Sequence, residues 1–143
     1  MTDPDAPRPP TARSGVRAVL RPRRVLLVED DPLVARSVAR FLRRDGYELW
    51  AATSVRMALE QVGPFDLGVF DVELGDGDGL TLAKRLLEQG TVARAVFFTS
   101  LATPEVVAIA NERGTYLNKN EGGSRLAELV ARLLEAPAAE AAL

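Results

Sequence analysis

The 143-residue sequence contains no cysteine and no histidine. The missing cysteines exclude disulfide bonds, thiolate nucleophiles and zinc–thiolate sites. The missing histidines exclude Ser-His-Asp triads, imidazole general bases and imidazole metal ligands. Any chemistry must therefore use carboxylate, hydroxyl and lysine side chains, and a site built from carboxylates favours a hard cation such as Mg²⁺.

Long apolar segments are missing as well. The sequence has no run of about 18 apolar residues, so it predicts no helix that spans a membrane. The first 15 residues lack the apolar core of a secretory signal and contain Asp3 and Asp5. With 47% hydrophobic and 27% charged residues, the chain is typical of one globular domain. We expect a cytoplasmic protein without a membrane partner.

The first 24 residues differ in composition from the rest of the chain. They contain six arginines, two aspartates and five of the nine prolines, whereas residues 25–143 contain 12 basic and 18 acidic side chains. We interpret residues 1–23 as a basic, flexible Pro/Arg-rich arm. Residues 24–136 are then the compact domain, and residues 137–143 are a tail.

From Arg24 onward, short apolar runs alternate with amphipathic segments. The apolar runs predict strands that are buried on both faces, and the amphipathic segments predict helices. Because parallel strands need crossover connections, the alternation predicts an α/β fold with a doubly wound, five-stranded parallel sheet and five helices. The predicted strands cover 25–28, 48–52, 65–71, 94–100 and 115–119, and the predicted helices cover 32–46, 54–63, 80–90, 103–114 and 124–136.

Chemically active side chains gather at the carboxyl ends of the predicted strands. They are Glu29, Asp30 and Asp31 after strand one, Asp71 after strand three, Thr99 and Ser100 after strand four, and Lys119 after strand five. Ligands of doubly wound sheets bind outside these ends. A cation would offset the repulsion among the acids, and lysine would pair with anionic oxygen. The set predicts a site for a divalent cation and a phosphoryl group, while Asp31, directly before Pro32, is expected to cap the first helix.

Four segments in this order and spacing resemble one known family. The segments "LLVEDDP", "FDLGVFDVELGDGDGL", "VFFTS" and "YLNK" resemble the receiver domain of the bacterial response regulators of two-component, phosphorelay signalling. The resemblance covers about residues 24–136. It implies a flavodoxin-like sheet with the strand order 2-1-3-4-5, which the spacing of the residues alone does not establish.

The resemblance also implies a role for each acid. Asp71 matches the phosphoacceptor, whose carboxylate forms an acyl phosphate. Glu29 and Asp30 match the pair that holds Mg²⁺, with Asp71 and the backbone carbonyl of Glu73 as further ligands.

Three further residues match the switch and its support. Thr99 matches the switch residue, whose hydroxyl moves to the phosphoryl oxygen after phosphorylation. Lys119 matches the residue that pairs with the phosphoryl oxygen, and Tyr116 matches the aromatic residue that changes rotamer with the switch. The implied donor is a sensor histidine kinase or a histidine phosphotransfer protein, and the implied output is binding to an unknown downstream protein. By the same resemblance, the first helix is the kinase-docking surface.

The sequence departs from the family pattern at three places. Asn120 follows Lys119 where the family has proline after a cis bond. A cis bond before a non-proline residue costs about 2.5 to 4 kcal/mol, so the peptide is trans, holds Lys119 differently or is strained. Gly75 replaces a proline and is expected to loosen the loop after the acceptor. Glu73 places another carboxylate near the phosphoryl group, which bears on the lifetime of the phosphorylated state.

Three functions remain open from the sequence. The first is a stand-alone phosphoacceptor, not an enzyme, with no attached DNA-binding domain, since few residues follow the last helix. The second is a pseudo-receiver that binds partners independently of phosphorylation. The third is a phosphohydrolase with Asp71 as nucleophile, although such enzymes typically carry the nucleophile on the first strand with an aspartate two residues later.

Overall fold

The computed structural model describes residues 21–135, in which strands and helices alternate. The strands are β1 (Arg24–Val28), β2 (Glu48–Ala52), β3 (Leu67–Phe70), β4 (Glu73–Leu74), β5 (Gly77–Asp78), β6 (Ala95–Thr99) and β7 (Thr115–Asn118). The helices are α1 (Pro32–Arg44), α2 (Val55–Leu59), α3 (Gly79–Glu88), α4 (Pro104–Arg113) and α5 (Gly122–Glu135), with a 3₁₀ turn (Lys119–Glu121) before α5.

Within these residues, five parallel strands form the main sheet in the order β2-β1-β3-β6-β7. The strands β6 and β7 are the fourth and fifth strands of this sheet, so the order is the flavodoxin-like 2-1-3-4-5. The predicted α/β fold is therefore confirmed.

The three central strands are apolar on both faces. Every residue of β3 and β6 is buried, and the register places Phe70 beside both Val28 and Phe97. One face of the sheet packs against α2, α3 and α4, and the other packs against α1 and α5. Burial of each large apolar side chain contributes roughly 1.5 to 3 kcal/mol, so the sheet is a firm platform for the residues that follow its strands.

Side-chain caps fix where the helices begin. Asp31 accepts hydrogen bonds from the backbone N–H groups of Leu33 (2.9 Å) and Val34 (3.5 Å), as predicted. Thr103 accepts from the N–H of Val106 at 3.2 Å at the start of α4. A cap of this kind typically contributes about 1 kcal/mol. Both caps lie just after strands that end at the predicted site, so they also fix the direction in which the chain leaves the sheet.

The prediction that the second helix reaches Gly63 is wrong, because α2 ends at Leu59. Ala58 is the buried residue of α2, and Val62 is 80% exposed. The segment after α2 has little apolar surface to bury, so helical packing does not extend it.

The segment after Asp71 was predicted as a loop, but it contains the antiparallel hairpin β4–β5. Asp76 at the hairpin tip accepts hydrogen bonds from the backbone N–H groups of Val55 (2.8 Å) and Arg56 (3.0 Å). These bonds lower the pKa of the Asp76 carboxyl. They also attach the hairpin to the first turn of α2, and the loosening expected from Gly75 stays a prediction.

The predicted tail (137–143) and all but the last three residues of the predicted arm (1–23) lie outside the described residues, so both stay predictions. Among residues 21–135, no helix has the length and hydropathy that crossing a bilayer requires.

Candidate functional site

Glu29 and Asp71 directly follow the neighbouring strands β1 and β3. The N–H of Glu29 donates to the carbonyl of Ala52 (3.0 Å), and the N–H of Asp71 donates to the carbonyl of Val28 (2.9 Å). These bonds extend the sheet past both strands and hold the two residues at its carboxyl edge. Glu29 is 2% exposed and Asp71 is 6% exposed. Buried carboxylates are stable only with partners.

Lys119 supplies a partner for both carboxylates. Its Nζ lies 2.9 Å from Asp71 Oδ2 and 3.0 Å from Glu29 Oε1. Because β6 separates β3 from β7 in the sheet, the lysine side chain reaches across the end of β6. Hydrogen bonds between charged groups are stronger than neutral ones, so the three residues form one polar cluster.

The pKa values of this cluster differ from those of exposed groups. Burial raises the pKa of the Glu29 carboxyl to about 7; the hydrogen bond from Lys119 lowers it, and the charge of Asp71 raises it. For Lys119, burial lowers the pKa, but the hydrogen bonds and charges of Asp71 and Glu29 raise it by more. The cluster therefore favours the uptake of a proton or a cation near neutral pH.

Three carboxylates at this edge fit a divalent cation. One oxygen each from Glu29, Asp30 and Asp71 lies within 4.8 Å of the others, and Asp30 is exposed. Mg²⁺ binds oxygen at about 2.1 Å, so ligands on opposite sides of the ion are about 4.2 Å apart. Small side-chain movements would bring all three oxygens to such an ion. These are the acids that the resemblance assigns to Mg²⁺.

Asp31 has a different place from the other two acids of its segment. Its carboxylate caps α1, and its backbone N–H donates to Glu29 Oε2 at 3.2 Å. Asp31 therefore helps to orient Glu29, in agreement with the prediction that it is a cap.

Glu73 contacts Asp71 through its backbone. The N–H of Glu73 donates to Asp71 Oδ1 at 3.4 Å, while Lys119 holds the other oxygen, Oδ2. The Glu73 side chain is exposed. The use of the Glu73 carbonyl as a metal ligand stays a prediction.

Gly79 lies against the backbone of Asp71. A Cβ at this position would be 1.9 Å from the Asp71 carbonyl oxygen, a distance that real atoms cannot reach. Gly79 was not among the predicted site residues, since only the three-dimensional packing reveals this close approach.

Thr99 ends β6 at the same edge and is fully buried. Its Oγ1 accepts a hydrogen bond from the N–H of Leu101 at 3.2 Å, so the hydroxyl holds the loop that follows the strand. The neighbouring Ser100 is exposed.

Tyr116 is joined to this loop and to the Lys119 turn. Its hydroxyl donates to the carbonyl of Leu101 (3.4 Å) and accepts from Asn118 Nδ2 (3.1 Å). Asn118 Oδ1 in turn accepts the N–H of Asn120 at 2.8 Å. Asn118 was not among the predicted site residues, although an asparagine two residues before an N–H that lies outside the strand pairing is a signal for an Asx turn.

The Lys119–Asn120 peptide is trans: the one cis bond within residues 21–135 is Gly63–Pro64. Of the alternatives left open for this loop, the trans form is therefore the one observed. Lys119 still reaches Asp71 without the proline of the family pattern.

The family model of the response regulator receiver domain matches residues 25–131. This chain belongs to that family. The transcriptional regulatory protein TrcR of Mycobacterium tuberculosis is 33% identical over 87% of this chain and 52% of that protein. The sensor protein TorS of Escherichia coli is 38% identical over 59% of this chain and 9% of that protein.

Solved receiver domains share the fold. A CheY-like receiver domain protein from Methanospirillum hungatei has a TM-score of 0.72 and 25% identity, covering 80% of this chain and 96% of that one. The BeF₃-activated DrrB receiver domain has a TM-score of 0.74 at 23% identity, covering 81% of this chain and all of that one. The receiver therefore matches whole solved domains, but it spans only about half or less of the curated relatives named above.

Proposed function

We propose that this receiver accepts a phosphoryl group on Asp71 from a histidine kinase or a histidine phosphotransfer protein, in a Mg²⁺-dependent reaction. It then signals through phosphorylation-dependent protein binding or by passing the group on. One observation carries this proposal: the buried Asp71 carboxylate lies 2.9 Å from Lys119 Nζ within a group of three acids that fits Mg²⁺.

The proposed reaction uses Asp71 as a nucleophile. A carboxylate oxygen forms a bond to phosphorus, the bond between phosphorus and the donor atom breaks, and the electron pair of that bond leaves with the donor. The product is an acyl phosphate. The pairing of Asp71 with β1 and its contact with the Glu73 N–H hold the nucleophile in place before the donor arrives.

Lys119 and the acids support the transfer in different ways. The ammonium group beside Asp71 stabilises negative charge on the transferring group and on the product. Glu29, Asp30 and Asp71, with the Glu73 carbonyl, are the proposed ligands of the cation. Bound Mg²⁺ would supply neutralisation of charge on the phosphoryl oxygens.

The proposed switch follows from the new charge on Asp71. A phosphoryl group gives Lys119 another anionic partner and gives the Thr99 hydroxyl an acceptor. The Thr99 hydroxyl then leaves the Leu101 N–H and donates to the phosphoryl group, and the loop that contacts Tyr116 moves with it. We propose that this regulatory protein acts in the cytoplasm and that its downstream partner recognises the surface around Tyr116.

The intact mass of the protein after incubation with acetyl phosphate and Mg²⁺ tests the proposal. We expect one phosphoryl adduct in the wild type and none in Asp71→Asn or without Mg²⁺. The matched control is Asp66→Asn, an aspartate at the opposite edge of the sheet that accepts the N–H of Arg24. This variant should form the adduct at the wild-type level.

Beryllofluoride with Mg²⁺ covers the case of a short-lived adduct, because it should raise the melting temperature of the wild type but not of Asp71→Asn. If neither an adduct nor this stabilisation occurs, the proposal is wrong and the pseudo-receiver is favoured. Sustained, Asp71-dependent release of phosphate from many phosphate esters would instead favour the phosphohydrolase.

A further inference from the structure

The turn that carries Lys119 is held by the side chain of Asn118. Asn118 is the last residue of β7, where it pairs with Thr99 of β6. Its Oδ1 accepts the N–H of Asn120 at 2.8 Å and so caps the 3₁₀ turn. Proline has no N–H, so this bond exists only because residue 120 is not the proline of the family pattern.

The same side chain also holds Tyr116. Asn118 Nδ2 donates to the Tyr116 hydroxyl at 3.1 Å, and that hydroxyl donates to the carbonyl of Leu101 at 3.4 Å. Leu101 is in turn bound through its N–H to Thr99 Oγ1. One carboxamide therefore links the turn before α5 to the loop after β6.

The position of Lys119 depends on this turn. Its ammonium group must reach both Glu29 and Asp71 at the end of a flexible side chain with four rotatable bonds. If the backbone at Lys119 were also mobile, the position of the ammonium group would not be fixed. A capped turn fixes the starting point of that side chain. In this trans loop, the carboxamide of Asn118 provides the cap.

We propose that Asn118 is a positioning residue that couples the Lys119 turn to the Tyr116 hydroxyl, so that the two respond together. The effect on phosphorylation rests on the proposed function, but the coupling itself is measurable in the unphosphorylated protein.

Three variants of this network separate its two bonds. Asn118→Ala removes both. Asn118→Ser keeps a short acceptor for the Asn120 N–H, as serine does in ST turns, but it is too short to reach Tyr116. Tyr116→Phe removes only the hydroxyl. The matched control is Asn111→Ala, which removes an amide oxygen that accepts the backbone N–H of Tyr116 at 3.0 Å and leaves the Lys119 turn intact.

The composition of the chain makes the coupling simple to observe. The sequence has two lysines, Lys84 and Lys119, and two tyrosines, Tyr47 and Tyr116. Labelling with ε-¹³C lysine and 3-fluorotyrosine therefore gives two signals of each kind. The substitutions Lys84→Arg and Tyr47→Phe assign them.

At fixed pH, we expect Asn118→Ala to shift both the Lys119 and the Tyr116 signals. Tyr116→Phe removes one partner of the Asn118 carboxamide, so under coupling it should also shift the Lys119 signal, by less than Asn118→Ala does. Asn118→Ser keeps the cap of the turn, so it should shift the Tyr116 signal and move the Lys119 signal less than Asn118→Ala does. Asn111→Ala should leave the Lys119 signal unchanged. The coupling is refuted if Asn118→Ala or Tyr116→Phe leaves the Lys119 signal in place, or if Asn111→Ala shifts it equally.

The rate of adduct formation from acetyl phosphate tests the positioning role. We expect Asn118→Ala to lower the rate constant by about fivefold, as the loss of one hydrogen bond would, and Asn118→Ser to recover it to within about twofold. A wild-type rate in Asn118→Ala overturns the positioning role. If the wild type forms no adduct, it is the proposed function that fails, and the two NMR signals still decide whether Asn118 couples the turn to Tyr116.

Discussion

At the carboxyl edge of the sheet, the buried carboxylates of Glu29 and Asp71 face Lys119, whose side chain is 19% exposed. At the amino edge, two arginines instead donate to backbone carbonyls. Arg24 Nη1 donates to Pro64 (2.8 Å), and Arg94 Nη1 donates to Leu133 (2.6 Å). Carbonyl acceptors do not titrate, so these contacts are indifferent to pH. The carboxyl edge instead keeps a glutamate whose pKa is raised to about 7.

The difference separates a structural edge from a reactive one. The guanidinium of Arg24 also lies over the rings of Trp50 (4.5 Å) and Phe65 (4.8 Å), so its charge makes cation–π contacts that stabilise the fold. At the carboxyl edge, negative charge exceeds what Lys119 balances. Proteins keep such unfavourable arrangements where function requires them.

The largest expected effect on stability comes from replacing a glycine with alanine, and each edge of the sheet has one such glycine. A Cβ at Gly79 would lie 1.9 Å from the Asp71 carbonyl oxygen, and one at Gly114 would lie 2.2 Å from that of Ala95. We expect each alanine variant to lose about 3 kcal/mol of unfolding free energy in urea. Only Gly79→Ala should also lower the adduct yield, because it displaces Asp71.

Gly75→Ala is the control for this pair, since nothing lies within 4 Å of its added Cβ. If Gly114→Ala reduces phosphorylation as much as Gly79→Ala while both remain folded, the two edges are not independent.

The pH dependence of stability is the next test. The folded Glu29 carboxyl keeps its proton up to about pH 7, whereas the unfolded carboxyl loses it near 4.5. The folded state therefore binds more protons in this window, and Glu29 lowers the unfolding free energy as the pH rises, by at most about 1.4 kcal/mol per pH unit. Without Mg²⁺, Glu29→Gln should remove this loss, as measured by urea unfolding at several pH values. Identical slopes for Glu29→Gln and the wild type would contradict the raised pKa.

Arg24→Met tests the amino edge. The variant keeps apolar contact with the aromatic rings but loses the charge and the bond to Pro64, so we expect about 1 to 2 kcal/mol less unfolding free energy. Its adduct yield and its Mg²⁺ dependence should equal those of the wild type. A changed yield in the folded variant would show that the amino edge influences the site.

Asp71→Asn is expected to have the smallest effect on stability, and in the opposite direction. It removes a buried negative charge beside Glu29, so without Mg²⁺ we expect a gain of about 1 kcal/mol in unfolding free energy. Asp66→Asn at the amino edge should give no gain. A loss in Asp71→Asn would mean that the Lys119 ion pair outweighs the repulsion, and the contrast between the edges would disappear.

Local sequence signals accounted for most of the fold. The apolar runs marked β1, β3 and β6 because strands buried on both faces need no polar alternation. Asp31 and Thr103 marked helix starts because capping acts within three residues. The carboxyl-end rule then gathered Glu29, Asp71 and Lys119 at one edge without further information.

The remaining features depend on contacts between distant segments. The early end of α2 depends on how little of that segment finds a buried surface, and the hairpin after Asp71 is attached by Asp76 to a helix 20 residues earlier. The two bonds of Asn118 depend on the rotamers of Tyr116 and the path of the trans loop. No periodicity in the sequence reports such geometry.

The contact between Lys119 and Glu29 joins residues that are 90 positions apart. Because Glu29 follows β1 and Lys119 follows β7, the acids after β1 and β3 lack their ammonium partner until β7 is in place. A ligand that needs both charges can stabilise only the completed domain. Binding of such a ligand therefore reports, in a single signal, that the first and last strands of the same molecule are both folded into the sheet.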